Sequence, residues 1–132
     1  MSISINKAIG IHDQALAVRA RRLEVLASNM ANADTPNYKA RDIDFRAALT
    51  EAEDLRLRVD LSRTHERHLD GDKEPRFADA LYRVPSQPSL DGNTVDPQLE
   101  QAAFTENTVQ YQASLEFLNR KITGLRGALR GE

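Results

Sequence analysis

The sequence predicts a mainly α chain: long N- and C-terminal helices that pair as an antiparallel-type coiled coil, joined by an irregular, short-β and partly disordered middle. Three observations predict it. Apolar residues recur at spacings of three, four and seven at both ends of the chain. Between those ends, residues 36–95 carry 10 basic and 12 acidic side chains and four of the five prolines, which favours extended backbone over a packed core. At the far boundary stands Asp96-Pro97, an N-capping acid followed by a ring whose fixed φ suits a first helical turn. The chain therefore divides into an N-terminal coiled-coil helix over 1–35, a polar middle over 36–95 and a C-terminal coiled-coil helix over 96–132.

In the first helix, Ile9, Leu16, Leu23 and Met30 recur every seven residues, and Ile5, Leu26 and Ala33 supply part of a second column. His12 and Arg19 fall in that second column and interrupt it. A separate stripe, Ile11, Val18 and Val25, lies about 200° round the helix from the first at about 3.6 residues per turn. Two stripes on nearly opposite sides cannot both be buried against one partner helix. Only one other long amphipathic helix is available, so the second stripe is expected to meet another molecule. The helix stops in Asn32-Ala33-Asp34-Thr35-Pro36-Asn37, where Pro36 excludes the α region for its predecessor and Asn37 tolerates a left-handed turn.

A shorter helix is expected over Ile43–Leu57, with Phe45, Ala48, Leu49 and Ala52 on one face. From Leu61 to Asp96 the chain reads mostly as loop, with short extended pieces around Ala80–Val84. The final helix, expected over 97–129, carries the clearest seam: Thr108, Tyr111, Leu115, Leu118, Ile122, Leu125 and Leu129. Its acids gather early (Asp96, Glu100, Glu106) and its bases late (Arg120, Lys121, Arg126, Arg130), complementing the helix dipole.

Composition narrows the function classes. A net charge of −2 gives no overall basic field for a polyanion, so no nucleic-acid role is expected. The absence of cysteine excludes a disulfide framework, a thiolate zinc site and a thiol nucleophile. No apolar run approaches the roughly 20 residues that span a bilayer, so no membrane insertion is expected. The opening MSISINKAIGIHDQ lacks the apolar core of a cleavable secretory signal. His65, His68, Asp70 and Asp72 are metal-ligand types, but Arg63, Arg67 and Lys73 crowd them and no zinc or calcium spacing is present; the cluster reads as a solvated loop. Arg19, Arg21 and Arg22 sit beside Glu24 without interleaved aromatics and read as a solvated or inter-subunit face. No catalytic, cofactor or metal constellation emerges, and no enzyme is expected. A soluble helical binding module or secretion chaperone is the alternative to an assembly subunit.

One stretch is more specific. Residues 27–39 read ASNMANADTPNYK, which strongly resembles the N-terminal signature of the bacterial flagellar axial proteins, the rod, hook and hook-associated subunits. Ala27, Ser28, Asn29, Ala31, Asn32, Thr35, Pro36, Tyr38 and Lys39 agree with it, and Asn37 stands where glycine is typical. Asn is the next-best residue at positive φ, so the turn is expected to survive. The flanks Gly10–Phe45 and Tyr82–Gly131, about two-thirds of the chain, resemble the opening and close of the short proximal-rod members.

The resemblance implies a structural rod subunit of the flagellar basal body, in the periplasmic drive shaft, that transmits torque. It implies terminal helices that order as subunits join. Their seam would be Ile9, Leu16, Leu23, Met30, Ile11, Val18, Val25, Tyr111, Leu115, Leu118, Ile122, Leu125 and Leu129. It implies export from the cytoplasm by the flagellar type III apparatus without a cleaved signal, and Phe45 with Leu49 fits the short motif read by the export gate. The implied partners are rod subunits of the FlgC, FlgF and FlgG type, the rod-base adaptor FliE, further copies of this chain, and the export gate.

Overall fold

The computed structural model describes residues 9, 11–57, 79–85 and 87–131. In chain order the elements are helix α1 (His12–Ala31), strand β1 (Arg41–Asp42), helix α2 (Phe45–Leu57), strand β2 (Leu81–Tyr82) and helix α3 (Pro97–Arg130). The fold is mainly α, with two long terminal helices, as the heptads predict. The His65–Asp72 cluster, and Ile5 of the first seam, lie outside the described residues.

Local chemistry sets the helix ends. Asp96 is in an extended conformation and its Oδ1 accepts from the Gln98 and Leu99 amides at 3.0 and 3.3 Å, with Pro97 in the first turn. At the other end Gly131 adopts φ 78° and its amide donates to the Gly127 carbonyl at 3.1 Å, a left-handed cap. Helix α2 starts at Phe45 rather than at the expected Ile43 because Asp44 is its cap: Oδ1 accepts from the Arg46 and Ala47 amides, both at 3.0 Å. Past α1 the chain reverses through Asn37, whose φ of 62° is the left-handed value the motif requires.

α1 and α3 run antiparallel. Asn29, near the end of α1, meets Glu100 in the first turn of α3, while Arg19, nearer the start of α1, meets Asn107 and Gln110 further along it. With 34 residues against 20, α3 is about 51 Å long and the described α1 about 30 Å.

α2 packs on the other side of α1. Val18, Ile43 and Ala48 form the buried cluster, and Val25, Phe45 and Ala80 pack against it. This corrects the expectation for the second α1 stripe in part: Val18 is buried with Ile43 and Ala48 of the same chain and Val25 packs against them, while Ile11 stays half-buried. α2 buries the small side chains Ala48 and Ala52, the first of them in this cluster. The strands pair antiparallel, Arg41 with Tyr82 and Asp42 with Leu81, and Arg83 extends the pairing by donating its amide to the Ala40 carbonyl at 2.9 Å. β2 falls within the expected extended piece. β1 was not anticipated, because Lys39-Ala40-Arg41-Asp42 carries no apolar alternation.

Candidate functional site

The apolar cluster is small, and a polar network completes the junction of the three segments. Its hub is Asn29 in the signature stretch, fully buried. Asn29 Nδ2 donates to the Arg41 carbonyl at 2.6 Å and to Glu100 Oε2 at 3.0 Å, while its Oδ1 accepts from the Arg41 amide at 3.1 Å and from Tyr38 Oη at 3.4 Å. One side chain thus ties α1 to the backbone of β1 and to α3. Glu100 Oε1 in turn accepts from Arg83 at 2.6 Å, and Arg83 donates with its other terminal nitrogen to Asp42 Oδ2 at 2.8 Å. Arg22 grips the same Asp42 with two bonds, at 2.8 and 2.9 Å, and the Ile43 amide adds a third contact at 2.7 Å. Forked guanidinium–carboxylate pairs of this kind fix orientation as well as charge.

Electrostatics follow from this geometry. Burial works to raise the Asp42 carboxyl, but the hydrogen bond from Arg22, the Ile43 amide and Arg83 outweigh it and hold the group below the usual carboxylate range. The Arg22 guanidinium is raised, chiefly by its hydrogen bond to Asp42. Arg19 is lowered, first by burial and then by repulsion from Arg22; its guanidinium sits 4.0 Å over the Phe45 ring and also donates to Gln110. The basic run is therefore not the solvated or inter-subunit face expected of it. Arg19 and Arg22 face inward, and Arg21 alone is exposed, paired with Glu24 at 2.5 Å.

A second set of bonds clasps the signature turn onto residues 91–95. Asn93, nearly fully buried, aims Nδ2 at the carbonyls of Asn32, Ala33 and Thr35 at 3.1, 2.6 and 3.0 Å, gathering the carbonyls of the turn that follows α1. The Asn37 amide donates to the Asp91 carbonyl at 2.9 Å, the Thr94 amide to the Tyr38 carbonyl at 3.0 Å, and Lys39 Nζ to the Gly92 carbonyl at 2.6 Å. Gly92 has φ 73°, and a Cβ there would lie 2.6 Å from Asn37 Oδ1. Two positive-φ residues thus meet face to face, each allowing the other's approach.

The signature residues divide accordingly. Ser28, Asn29, Asn32, Thr35, Asn37, Tyr38 and Lys39 bond within the chain: Asn32 Nδ2 to the Ser28 carbonyl at 2.8 Å, Thr35 Oγ1 to Asn32 Oδ1 at 3.2 Å, and Ser28 Oγ with Tyr38 Oη at 3.3 Å. Ala27, Ala31 and Pro36 are exposed. Sequence reasoning missed Asn93 and Glu100 as partners of the motif, the Arg22–Asp42–Arg83 cluster beside it, and Asn107 as a partner of Arg19; Asp91-Gly92-Asn93, a turn tripeptide, was the one local signal available.

The anticipated seam is distributed unevenly. On α1, Ile9, Leu16, Leu23 and Met30 are half-buried, as are Ile11 and Val25, while Val18 is buried. On α3 the fully buried residues are Glu100 and Asn107, not the leucines. Thr108, Tyr111, Leu118 and Leu125 are half-buried, whereas Leu115, Ile122 and Leu129 are 49%, 39% and 84% exposed. An apolar stripe thus continues along α3 past the described start of α1. Phe45 and Leu49 are both half-buried in the folded chain. His12 opens α1 and is half-buried. Among the described residues no group of three or more acids and histidines could hold a metal ion, and no helix is long and apolar enough to cross a membrane.

Comparison with known proteins agrees with this anatomy. Residues 9–39, which hold α1 and the signature turn, match the family described as Flagella basal body rod protein. The chain is 53% identical over 133 residues to the Flagellar basal body rod protein FlgB of Aeromonas hydrophila, covering 100% of this chain and 99% of that protein. It is 50% identical over 124 residues to the protein of the same name from Cereibacter sphaeroides, covering 94% of each. With that of Escherichia coli K12 it is 44% identical over 130 residues, 95% of this chain and 94% of the relative. Full-length similarity at these levels, on a fold whose signature turn is wired to the far helix, places the chain in the flagellar basal body rod protein FlgB family.

Proposed function

We propose that this chain is a building block of the proximal rod, lying in the periplasmic span of the basal body and transmitting torque. As a member of the rod family it is a structural component of the flagellar basal body and not an enzyme. The observation that carries the finer reading is the exposed apolar stripe Leu115, Ile122 and Leu129 on a helix of 34 residues, beside a described α1 of 20. A stripe of that kind is covered when chains stack side by side. Many shallow helix–helix contacts suit a shaft under twist better than one hinge-like joint, because load is shared along each helix. The three segments 1–35, 36–95 and 96–132 then have distinct tasks: the ends supply the packing faces, and the middle fixes the ends to one another. Neighbours of the same chemistry are other rod subunits, a rod-base adaptor and further copies of this chain.

Delivery through the flagellar type III export apparatus without a cleaved signal belongs to the same proposal. Its candidate signal is Phe45 and Leu49, four residues apart on α2. The lack of cysteine fits a chain that crosses unfolded into an oxidising compartment.

A strain lacking the gene tests the reading. It should grow normally, carry no flagella and not swim, with flagella and swimming both restored by the gene supplied in trans. Swimming cells without the gene would refute the proposal.

A further inference from the structure

We propose that the buried polar residues Glu100 and Asn107, with their α1 partners Asn29 and the Arg19 carbonyl, select the register of the α1–α3 pair. The inference is made on the fold of the single chain and does not rest on the rod reading.

The apolar pattern cannot select that register alone. On α1 the column Ile9, Leu16, Leu23, Met30 repeats every seven residues; on α3 so do Phe104, Tyr111, Leu118, Leu125 and, beside them, Leu115, Ile122, Leu129. Sliding one helix past the other by seven residues brings apolar side chains back opposite apolar side chains. Hydrophobic burial is non-directional, so such a slip changes it little.

The polar residues break that degeneracy. Glu100 and Asn107 are also seven apart, are both fully buried, and are the fully buried residues of α3. Their demands differ. Glu100 Oε2 accepts from Asn29 Nδ2 at 3.0 Å, whereas Asn107 Nδ2 donates to the main-chain carbonyl of Arg19 at 2.9 Å. A slip in one sense puts the Glu100 carboxylate where Asn107 sits, acceptor against the Arg19 carbonyl acceptor. The residue then due opposite Asn29 is Asn93, which precedes the helix and is held on the signature turn. The opposite slip sets Asn107 against Asn29 and strands Arg83, whose 2.6 Å partner on α3 is Glu100. In the observed register both Glu100 oxygens and the Asn107 amide nitrogen are partnered, and Asn107 Oδ1 alone among these atoms is not; each alternative register takes partners from the others as well. A polar residue in an apolar seam that fixes register at some expense of stability is the best-attested use of such groups.

Because the chain has no cysteine, spin labels can be placed at will. Labels at Ala27→Cys on α1 and Lys121→Cys on α3, both exposed positions, report the axial offset between the helices. A slip of seven residues moves that distance by about 10 Å. Labelled chain is diluted into unlabelled chain so that only distances within one molecule are measured, by pulsed electron–electron double resonance. With the native polar residues the expected result is one narrow population. In Glu100→Leu/Asn107→Leu, which leaves Asn29 on Arg41 and Arg83 on Asp42, a second population displaced by about 10 Å should appear, with helix content by circular dichroism unchanged. A single undisplaced population in the variant would overturn the proposal. So would a broad distribution in the native background, or loss of helix content in the variant, since the two residues would then be stabilisers rather than selectors of register.

Discussion

Asn29 is the residue whose replacement distinguishes a polar hub from ordinary packing. Asn29→Ala removes the partner of the Arg41 amide and carbonyl and of Glu100 Oε2, at 3.1, 2.6 and 3.0 Å. Each orphaned polar group costs about 1–3 kcal/mol where water cannot replace the bond. Arg41 is an exposed residue, so its main-chain groups recover some hydration and stand at the low end; the Glu100 carboxylate, 1% accessible, stands higher. A total of about 3 kcal/mol follows, equivalent to a urea midpoint lower by about 1–2 M for a chain of this size. Asn29→Asp keeps the acceptor for the Arg41 amide but sets a carboxylate against both the Arg41 carbonyl and Glu100. Near neutral pH it should be less stable than Asn29→Ala, although it is closer to the native side chain in size and shape. The new carboxyl, facing a like charge, titrates higher in the folded chain than in the unfolded chain. Its deficit therefore grows as pH rises through and above the unfolded value of about 3.9, and shrinks as pH falls toward that value. The assay is urea unfolding followed by circular dichroism, with both variants compared at pH 7 and pH 4.5. Equal stability of the two variants at pH 7, or a loss of less than about 0.5 kcal/mol in either, would refute the hub, because surface positions behave that way.

Further outcomes follow from other parts of the molecule. The folded Asp42 carboxyl lies below its unfolded value, so its contribution is present above about pH 4 and lost as pH falls through the folded value; Asp42→Asn should flatten that acid limb of the stability profile, and an unchanged limb would count against the Arg22–Asp42–Arg83 arrangement. Gly92→Ala puts a side chain at φ 73° against Asn37 and should cost about 1–2 kcal/mol in urea unfolding, whereas a neutral result would mean that the 37–92 contact is loose. Ile122→Asp alters an exposed position and should leave the unfolding midpoint within about 0.5 kcal/mol of the parent while abolishing swimming; swimming cells would show that this stretch of α3 is not an assembly face. Phe45→Ala should both lower stability by about 1–2 kcal/mol, since the ring is half-buried beneath Arg19, and reduce secretion. Leu49→Ala, at the other motif position, should reduce secretion too: normal secretion of both variants would retire the export motif.

What the sequence disclosed and what it hid divide along chain separation. Helix ends were legible at Asp96 and Asn37 because capping is chemistry between neighbours: Asp96 reaches the amides two and three residues on, and Asn37 turns left-handed by its own side chain's tolerance; the equally local Asp44 cap went unread, and the start of α2 was set two residues early. The heptads foretold two long helices for the same reason. The partner of the Val18–Val25 stripe was hidden, since nothing local to α1 says that the alanine face of α2 folds back on it. Likewise Arg22 and Arg83 are ordinary charges in the sequence; only when Asp42 stands between them do they become one cluster. The signature stretch was conspicuous, but its internal task was not. The Asn29 side chain answers to Arg41 and Glu100, and the carbonyls of its turn answer to Asn93, the last two about sixty to seventy positions away. The 22 charges of the middle suggested a solvated linker. Several of them, Asp42 and Arg83 foremost, instead hold the terminal helices together, so the middle is a clasp at one end of the helical pair.

The central claim is that this clasped helical pair is a unit of the rod, with the exposed stripe of α3 turned toward its neighbours. The most direct measurement is a density map of purified basal bodies at a resolution that traces side chains. The expected map shows this chain in the proximal rod, with Asn29 still on Glu100 and with Leu115, Ile122 and Leu129 buried against adjacent subunits. A rod in which those three residues face solvent, or from which this chain is absent, would contradict it.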